Sequence, residues 1–123
     1  MYEKKIPKSF ACPIEVTREV IGGKWKPSII CYLRRGNKRP SELHKAINDA
    51  SQRVLNQQLK ELEMHGIIEK KIYPVVPARV EYTLTEFGKS LGPVMDMMER
   101  WGEEYKEIFE RRINEQKAVD IID

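Results

Sequence analysis

One stretch, residues 50–64, constrains the fold of this chain most, because wound as a helix it has two chemically different faces. Leu55, Leu59 and Leu62 recur at spacings of four and three residues, which predicts a face that packs in a core. The other face carries amides and cations: Gln52, Arg53, Asn56, Gln57 and Lys60. Asn and Gln suit adenine in a DNA major groove and Arg suits guanine, but an ordinary amphipathic helix also turns such a face to solvent.

The segments on either side of this helix favour the DNA-binding interpretation. Residues 40–47 predict a two-turn helix, and a polar break at 48–50 precedes Ser51, which is placed to cap the next helix. After the stop at Gly66 the apolar period changes from 3.6 to 2, first around Ile68 and again around Tyr82. A helix-turn-helix over 40–65 followed by a hairpin over 67–85 is the order of a winged helix. We therefore predict a mainly α fold with a small β-hairpin.

Charge along the chain agrees with a nucleic-acid partner for its middle part. Residues 34–82 carry ten Lys and Arg against six Asp and Glu, whereas residues 83–123 carry six against ten. The middle of the chain can therefore meet a polyanion, and the tail cannot. The absence of a long apolar run or a signal-peptide pattern predicts a cytoplasmic protein with no membrane partner.

Two groups of side chains are candidates for DNA contacts. Four side chains on the helix from Gln52 are predicted to reach base edges, namely Gln52, Arg53, Asn56 and Gln57. Four cations are predicted to contact phosphate or the minor groove, namely Lys60, Lys38, Arg39 and Arg79. The candidate DNA-binding residues are Ser51, Gln52, Arg53, Asn56, Gln57, Lys60, Lys38, Arg39 and Arg79.

The ends of the chain carry apolar residues at helical spacing. A short helix is predicted within 10–23. A second helix is predicted from Lys26 to about Arg35, with Trp25 and Tyr32 among the residues that pack in the core of the protein. A long helix is predicted over 85–113, and Gly92-Pro93 is expected to kink or interrupt it. The last stripe is too long and aromatic to be wholly buried by one domain of 123 residues, so we predict a homodimer, with a monomeric core as the alternative. The predicted dimer contacts are Ile14, Leu91, Met95, Met98, Trp101, Tyr105 and Ile108.

The two cysteines differ in their sequence surroundings, and with only two histidines they give no metal-ligand spacing, so we expect neither a metal nor a cofactor. Cys12 stands at a predicted helix start with Lys8 nearby, and both features favour the reactive thiolate. Cys31 lies among apolar residues and is predicted to be buried and inert. The alternative for Cys12 is a packed helix-start residue with no signalling role.

The sequence resembles the HxlR-type branch of MarR-like transcriptional regulators over about residues 10–108. The matching residues are Cys12-Pro13, Gly22-Gly23-Lys24-Trp25, Arg39 with Ser41-Glu42-Leu43, Ser51-Gln52-Arg53, Leu59–Glu63, Val80–Thr85 and Trp101-Gly102. The resemblance implies a dimeric winged-helix regulator, expected here to be a repressor on a pseudo-palindromic operator. It also implies that Cys12 senses oxidative, electrophilic or aldehyde stress, with a disulfide to the partner subunit's Cys12 as the symmetric option.

Other functions stay open at this point. A winged-helix regulator with a non-thiol signal fits the same residues, and so does a module that binds another protein. A small thiol enzyme using Cys12 is disfavoured, because no His or Asp is spaced as an obvious base and no Gly-rich phosphate loop occurs. We therefore expect a protein that is not an enzyme.

Overall fold

A computed structural model describes residues 9–122 of the chain, with side chains described for residues 9–118. Its elements in order are α1 (Pro13–Ile21), α2 (Lys26–Arg34), α3 (Pro40–Ala46), α4 (Gln52–Met64), β1 (Ile68–Tyr73), β2 (Arg79–Leu84), α5 (Glu86–Lys89) and α6 (Gly92–Ile122). This mainly helical chain with one antiparallel hairpin confirms the predicted fold class. Of the described residues, those from 9 to Lys89 form one compact unit, and those from Ser90 to Ile122 form a second.

The core of the first unit gathers around the apolar face of α4. Leu55, Leu59 and Leu62 are at most 1% exposed, as their spacing predicts. The other buried apolar side chains of this unit are Ile29, Ile30, Leu33, Leu43, Ile47, Ile67, Ile68, Tyr82 and Leu84. Since burying one Leu or Ile side chain is worth about 1.5–3 kcal/mol, this cluster is the main source of the unit's stability.

Helices α3 and α4 have defined starts on either side of a short turn. Pro40 occupies the first position of α3, where its missing N–H costs nothing, and the backbone N–H of Arg39 donates to Glu42 Oε1 at 2.7 Å. At the start of α4 the Ser51 hydroxyl accepts from the Val54 N–H at 3.2 Å. The two helices and the turn between them form the helix-turn-helix.

The hairpin pairs β1 with β2 in an antiparallel register that places Ile68 opposite Leu84 and Tyr73 opposite Arg79. A third piece of backbone joins this sheet ahead of α3. The Lys38 N–H donates to the Tyr82 carbonyl at 3.1 Å, and the Tyr82 N–H donates to the Lys38 carbonyl at 2.7 Å. The hairpin is therefore tied to the segment that leads into the helix-turn-helix.

The segment after the hairpin forms two helices, although one helix with a kink or an interruption at Gly92-Pro93 was predicted from residue 85. Thr85 Oγ1 accepts from the Gly88 N–H at 2.9 Å and starts α5, but that helix ends at Lys89. Gly92-Pro93 then starts α6 as a separate helix, so it interrupts the segment rather than kinking it, and Phe87 belongs to α5. Helix α6 continues to Ile122, beyond the predicted end at residue 113. No helix in the described range is long and apolar enough to span a membrane.

Three predictions of burial in α2 and at the residue before it were wrong. Ile29, Ile30 and Leu33 are buried, but Trp25, Cys31 and Tyr32 are only half-buried. Each helical residue advances by about 100°, so Cys31 lies across the helix from Ile29 and Leu33. An apolar neighbourhood in the sequence therefore did not place Cys31 in the core.

The close approach at Gly88 makes a stability prediction. A Cβ added there would overlap the Ile67 carbonyl oxygen, which is backbone and cannot move independently. We expect Gly88→Ala to cost about 1–3 kcal/mol of the free energy of unfolding, the usual cost of overpacking. Urea denaturation measures this cost.

The matched control lies on the same short helix. Glu86 pairs with Lys89 at 3.1 Å, and both side chains are largely exposed, so Glu86→Ala should change the free energy of unfolding by no more than about 0.5 kcal/mol. Equal denaturation midpoints for Gly88→Ala and the wild type would contradict the close approach.

Candidate nucleic-acid interface

The outward face of α4 presents a continuous set of polar and cationic side chains. Ser51 and all five predicted base-contacting or phosphate-contacting residues of the helix are exposed, namely Gln52, Arg53, Asn56, Gln57 and Lys60. Their exposure follows from burial of the leucine face on the other side of the helix. Amide groups that both donate and accept, next to a guanidinium, suit the edges of base pairs in a major groove.

One of these residues has a neighbour within the helix-turn-helix. Asn56 Oδ1 lies 3.3 Å from His44 Nε2 on α3, within hydrogen-bonding distance. When His44 Nε2 carries the proton, it donates to Asn56, and the two N–H donors of the Asn56 amide stay available for another acceptor. Spacing along α4 gave no sign of this contact, because His44 belongs to the preceding helix.

The start of α3 and the tip of the hairpin share one cleft, about 580 Å³ in volume. Its lining brings together the predicted DNA contacts Arg39 and Arg79, although they are far apart in sequence. Arg79 also lies 4.0 Å from Glu81 and 6.0 Å from the Tyr73 ring centroid. Lys38, the third predicted cation, is half-buried and holds Tyr82 through its backbone.

Tyr82 stands where the hairpin meets the segment before α3. Its side chain is 6% exposed, and Lys70 Nζ lies 5.8 Å from its ring centroid. Burial, and to a lesser extent the negative charge of Glu63, raise the pKa of Tyr82 above its ordinary value of 10.0. The phenol is therefore uncharged at neutral pH, and Tyr82 acts as a packing residue at this join.

The flank of α4 that faces α2 carries polar residues that the sequence pattern did not single out. Gln58 Oε1 accepts from the Trp25 N–H at 2.9 Å, and Glu61 Oε2 accepts from Lys26 Nζ at 2.5 Å. Lys26 is 2% exposed. A basic residue beside Trp25 in the sequence gives no signal of burial, since lysine is almost never fully buried unless it is paired.

The predicted sensor cysteine lies at an exposed helix start. Cys12 is the residue before α1, Pro13 is the first residue of that helix, and the Cys12 carbonyl accepts from the Glu15 N–H at 2.9 Å. Its sulfur makes no capping hydrogen bond. Lys8, the predicted cationic neighbour, lies outside the described residues.

The second unit has an exposed apolar face along α6. Trp101 is 61% exposed and its ring lies 5.0 Å from that of Tyr105, centroid to centroid. We call this the α6 apolar face, and it consists of Val94, Met97, Met98, Trp101, Tyr105 and Ile108. Of the other predicted dimer contacts, Ile14 is 72% exposed, Leu91 is half-buried, and Met95 is 1% exposed and so offers no surface.

Comparison with known proteins identifies relatives along most of the chain. A sequence model described as HxlR-like helix-turn-helix matches residues 20–110. The HTH-type transcriptional regulator YdeP of Bacillus subtilis is 45% identical over 111 residues, which are 90% of this chain and 87% of that protein.

Solved structures agree with this relationship. The redox regulator HypR in its reduced form superimposes with a TM-score of 0.77 at 42% identity, covering 81% of this chain and 99% of that one. The reduced form of the transcriptional regulator YodB from B. subtilis gives a TM-score of 0.69 at 37% identity, covering 78% and 95%. With the family match and a fold of the same kind, the chain belongs to the HxlR-like helix-turn-helix family of transcriptional regulators.

Proposed function

We propose that this regulator binds a pseudo-palindromic DNA operator as a homodimer and that chemical modification of Cys12 changes its affinity for that operator. The observation that carries the proposal is the exposed face of α4, where five side chains suited to bases and phosphates lie together. In a winged helix this face enters the major groove, and the hairpin contacts backbone or minor groove.

Within this face two kinds of contact are expected. Gln52, Arg53, Asn56 and Gln57 reach base edges and so select sequence. Lys60, together with Lys38, Arg39 and Arg79, contacts phosphate or the minor groove and so supplies affinity with little selectivity. Arg53 is the sharpest single test of readout, because a guanidinium can pair with guanine through two hydrogen bonds.

Substituting one residue from each group separates the two roles. Arg53→Ala should cost roughly 1–3 kcal/mol on the preferred operator and relax selection at one base pair. Lys60→Ala should weaken binding to all sequences alike and reduce the salt slope by about one. Binding to duplexes selected from a random pool, measured at several salt concentrations, distinguishes them. An Arg53→Ala protein with unchanged base preference would show the assignment to be wrong.

The α6 apolar face supports the dimeric arrangement. Large apolar side chains exposed in a row along one helix usually mark an interface, since water contact with such a surface is unfavourable. An isologous pairing of this face would give a two-fold dimer with two recognition helices. Half-sites about one helical turn apart would then mirror the symmetry of the protein.

Trp101 is the residue on this face whose loss should matter most. We expect Trp101→Ala to weaken association by at least about 2 kcal/mol, as for buried tryptophans at other interfaces. Glu103→Ala, two residues on and across the helix, is the control and should leave association unchanged. Sedimentation velocity over a concentration series measures both. A Trp101→Ala protein that dimerises as the wild type does would refute this interface.

Cys12 is the proposed point of chemical input. Its thiol is exposed at the start of α1, and the reduced HypR structure is described as that of a redox regulator. In a dimer, diamide would take one hydrogen from each of two Cys12 thiols, forming a disulfide and the corresponding hydrazine. Because Cys31 is half-buried rather than part of the core, it is the alternative partner for a disulfide bond with Cys12.

Operator affinity before and after diamide tests this role. We expect diamide to change the affinity of the wild type roughly 5- to 150-fold, the usual range for coupling between two sites. Cys12→Ser should abolish the change, and Cys31→Ser, the matched control, should retain it. Equal responses of the wild type and Cys12→Ser would refute the sensor role, and loss of the response in Cys31→Ser would point to a Cys12–Cys31 bond.

A further inference from the structure

The side of α4 that faces α2 holds a polar clamp that no base contact requires. We propose that Lys26 and Gln58 are positioning residues for DNA readout, because together they fix α4 against the corner between α1 and α2. This inference rests on the proposed DNA-binding function. Gln58 and Glu61 lie three residues apart on α4. Gln58 lies beside the leucine face, and Glu61 borders the exposed face one turn after Gln57.

The first half of the clamp is an ion pair with a buried cation. Lys26 is 2% exposed, and its Nζ donates to Glu61 Oε2 at 2.5 Å, whereas the Glu61 side chain is 38% exposed. A buried ammonium group without a partner is strongly unfavourable, so Lys26 keeps its position only while Glu61 stays within reach. The pair therefore resists both rotation of α4 about its axis and sliding along α2.

The second half of the clamp is a hydrogen bond to backbone. Gln58 Oε1 accepts from the Trp25 N–H at 2.9 Å, at the residue that precedes α2. The corner lies close to α4, since a Cβ added at Gly23 would lie 3.1 Å from Gln58 Oε1 and 3.1 Å from Lys26 Cδ. Glycine at position 23 thus leaves room for both polar groups, and the corner and α4 meet at two points.

Base readout depends on such support more than phosphate contact does. Hydrogen bonds to base edges need the reading side chains at fixed distances and angles, so a loosely held helix loses them first. Attraction to phosphates acts over longer distances and tolerates small rotations. A positioning role therefore predicts lost discrimination between sequences, whereas a role in folding alone predicts lost binding to every sequence.

The test compares Lys26→Met and Gln58→Met with Lys106→Met, a control that removes an exposed cation from α6. Methionine keeps much of the buried volume, and Gln58→Met changes no charge. Wild-type protein first selects its preferred duplex from a random pool. Affinity for that duplex and for a scrambled one of equal length is then measured at one salt concentration, and the thermal midpoint is recorded for each variant.

We expect both clamp variants to lose about threefold to tenfold in the ratio of the two affinities, the equivalent of about one net hydrogen bond. Binding to the scrambled duplex should be unchanged for Gln58→Met. Lys106→Met should keep the wild-type ratio. Folded clamp variants with the wild-type ratio would overturn the positioning role, and so would losses on both duplexes that follow the thermal midpoint. If Lys26→Met does not fold, Gln58→Met decides alone. Wild-type protein that selects no sequence would instead refute DNA readout itself.

Discussion

Burial of the leucine face of α4 is the constraint on which the rest of the first unit depends. Leu55, Leu59 and Leu62 are withdrawn almost completely from water, which fixes the rotation of the helix about its axis. Once that rotation is fixed, the amides and cations on another side of the helix have to face outward. The same apolar contacts that stabilise the fold therefore expose the candidate DNA surface, and the proposed role of Lys26 and Gln58 is to hold that exposed surface in place.

The hairpin depends on a second, smaller constraint at Tyr82. Its backbone pairs with Lys38 through two hydrogen bonds, and its ring is buried in the same place. Since Lys38 precedes Arg39 and α3, the position of the hairpin is set relative to the start of the helix-turn-helix. This explains how Arg39 and Arg79 line one cleft although forty residues separate them in the chain.

Features that follow from local spacing were predictable from the sequence. The period of α4, the cap at Ser51 and the alternation of the two strands each depend on neighbouring residues. The end of α6 was missed because the apolar stripe fades near Ile113, while the residues beyond it include Glu, Gln, Lys and Ala, which favour helix without any packing. The half-exposed position of Cys31 was missed because helical geometry, not the apolar character of its neighbours, decides its face.

The contacts of Lys26 could not be predicted for a different reason. Its partner Glu61 lies 35 residues away, and lysine and glutamate at those positions fit an exposed face equally well. Only the packing of α2 against α4 removes Lys26 from water and makes the pair necessary. Sequence periodicity identifies which side of a helix is buried, but it does not identify the polar residues that lie at the edge of that side. In this chain those edge residues join α4 to the corner that follows α1. The support of the candidate site is therefore non-local, even though the residues of its outward face are close together in the sequence.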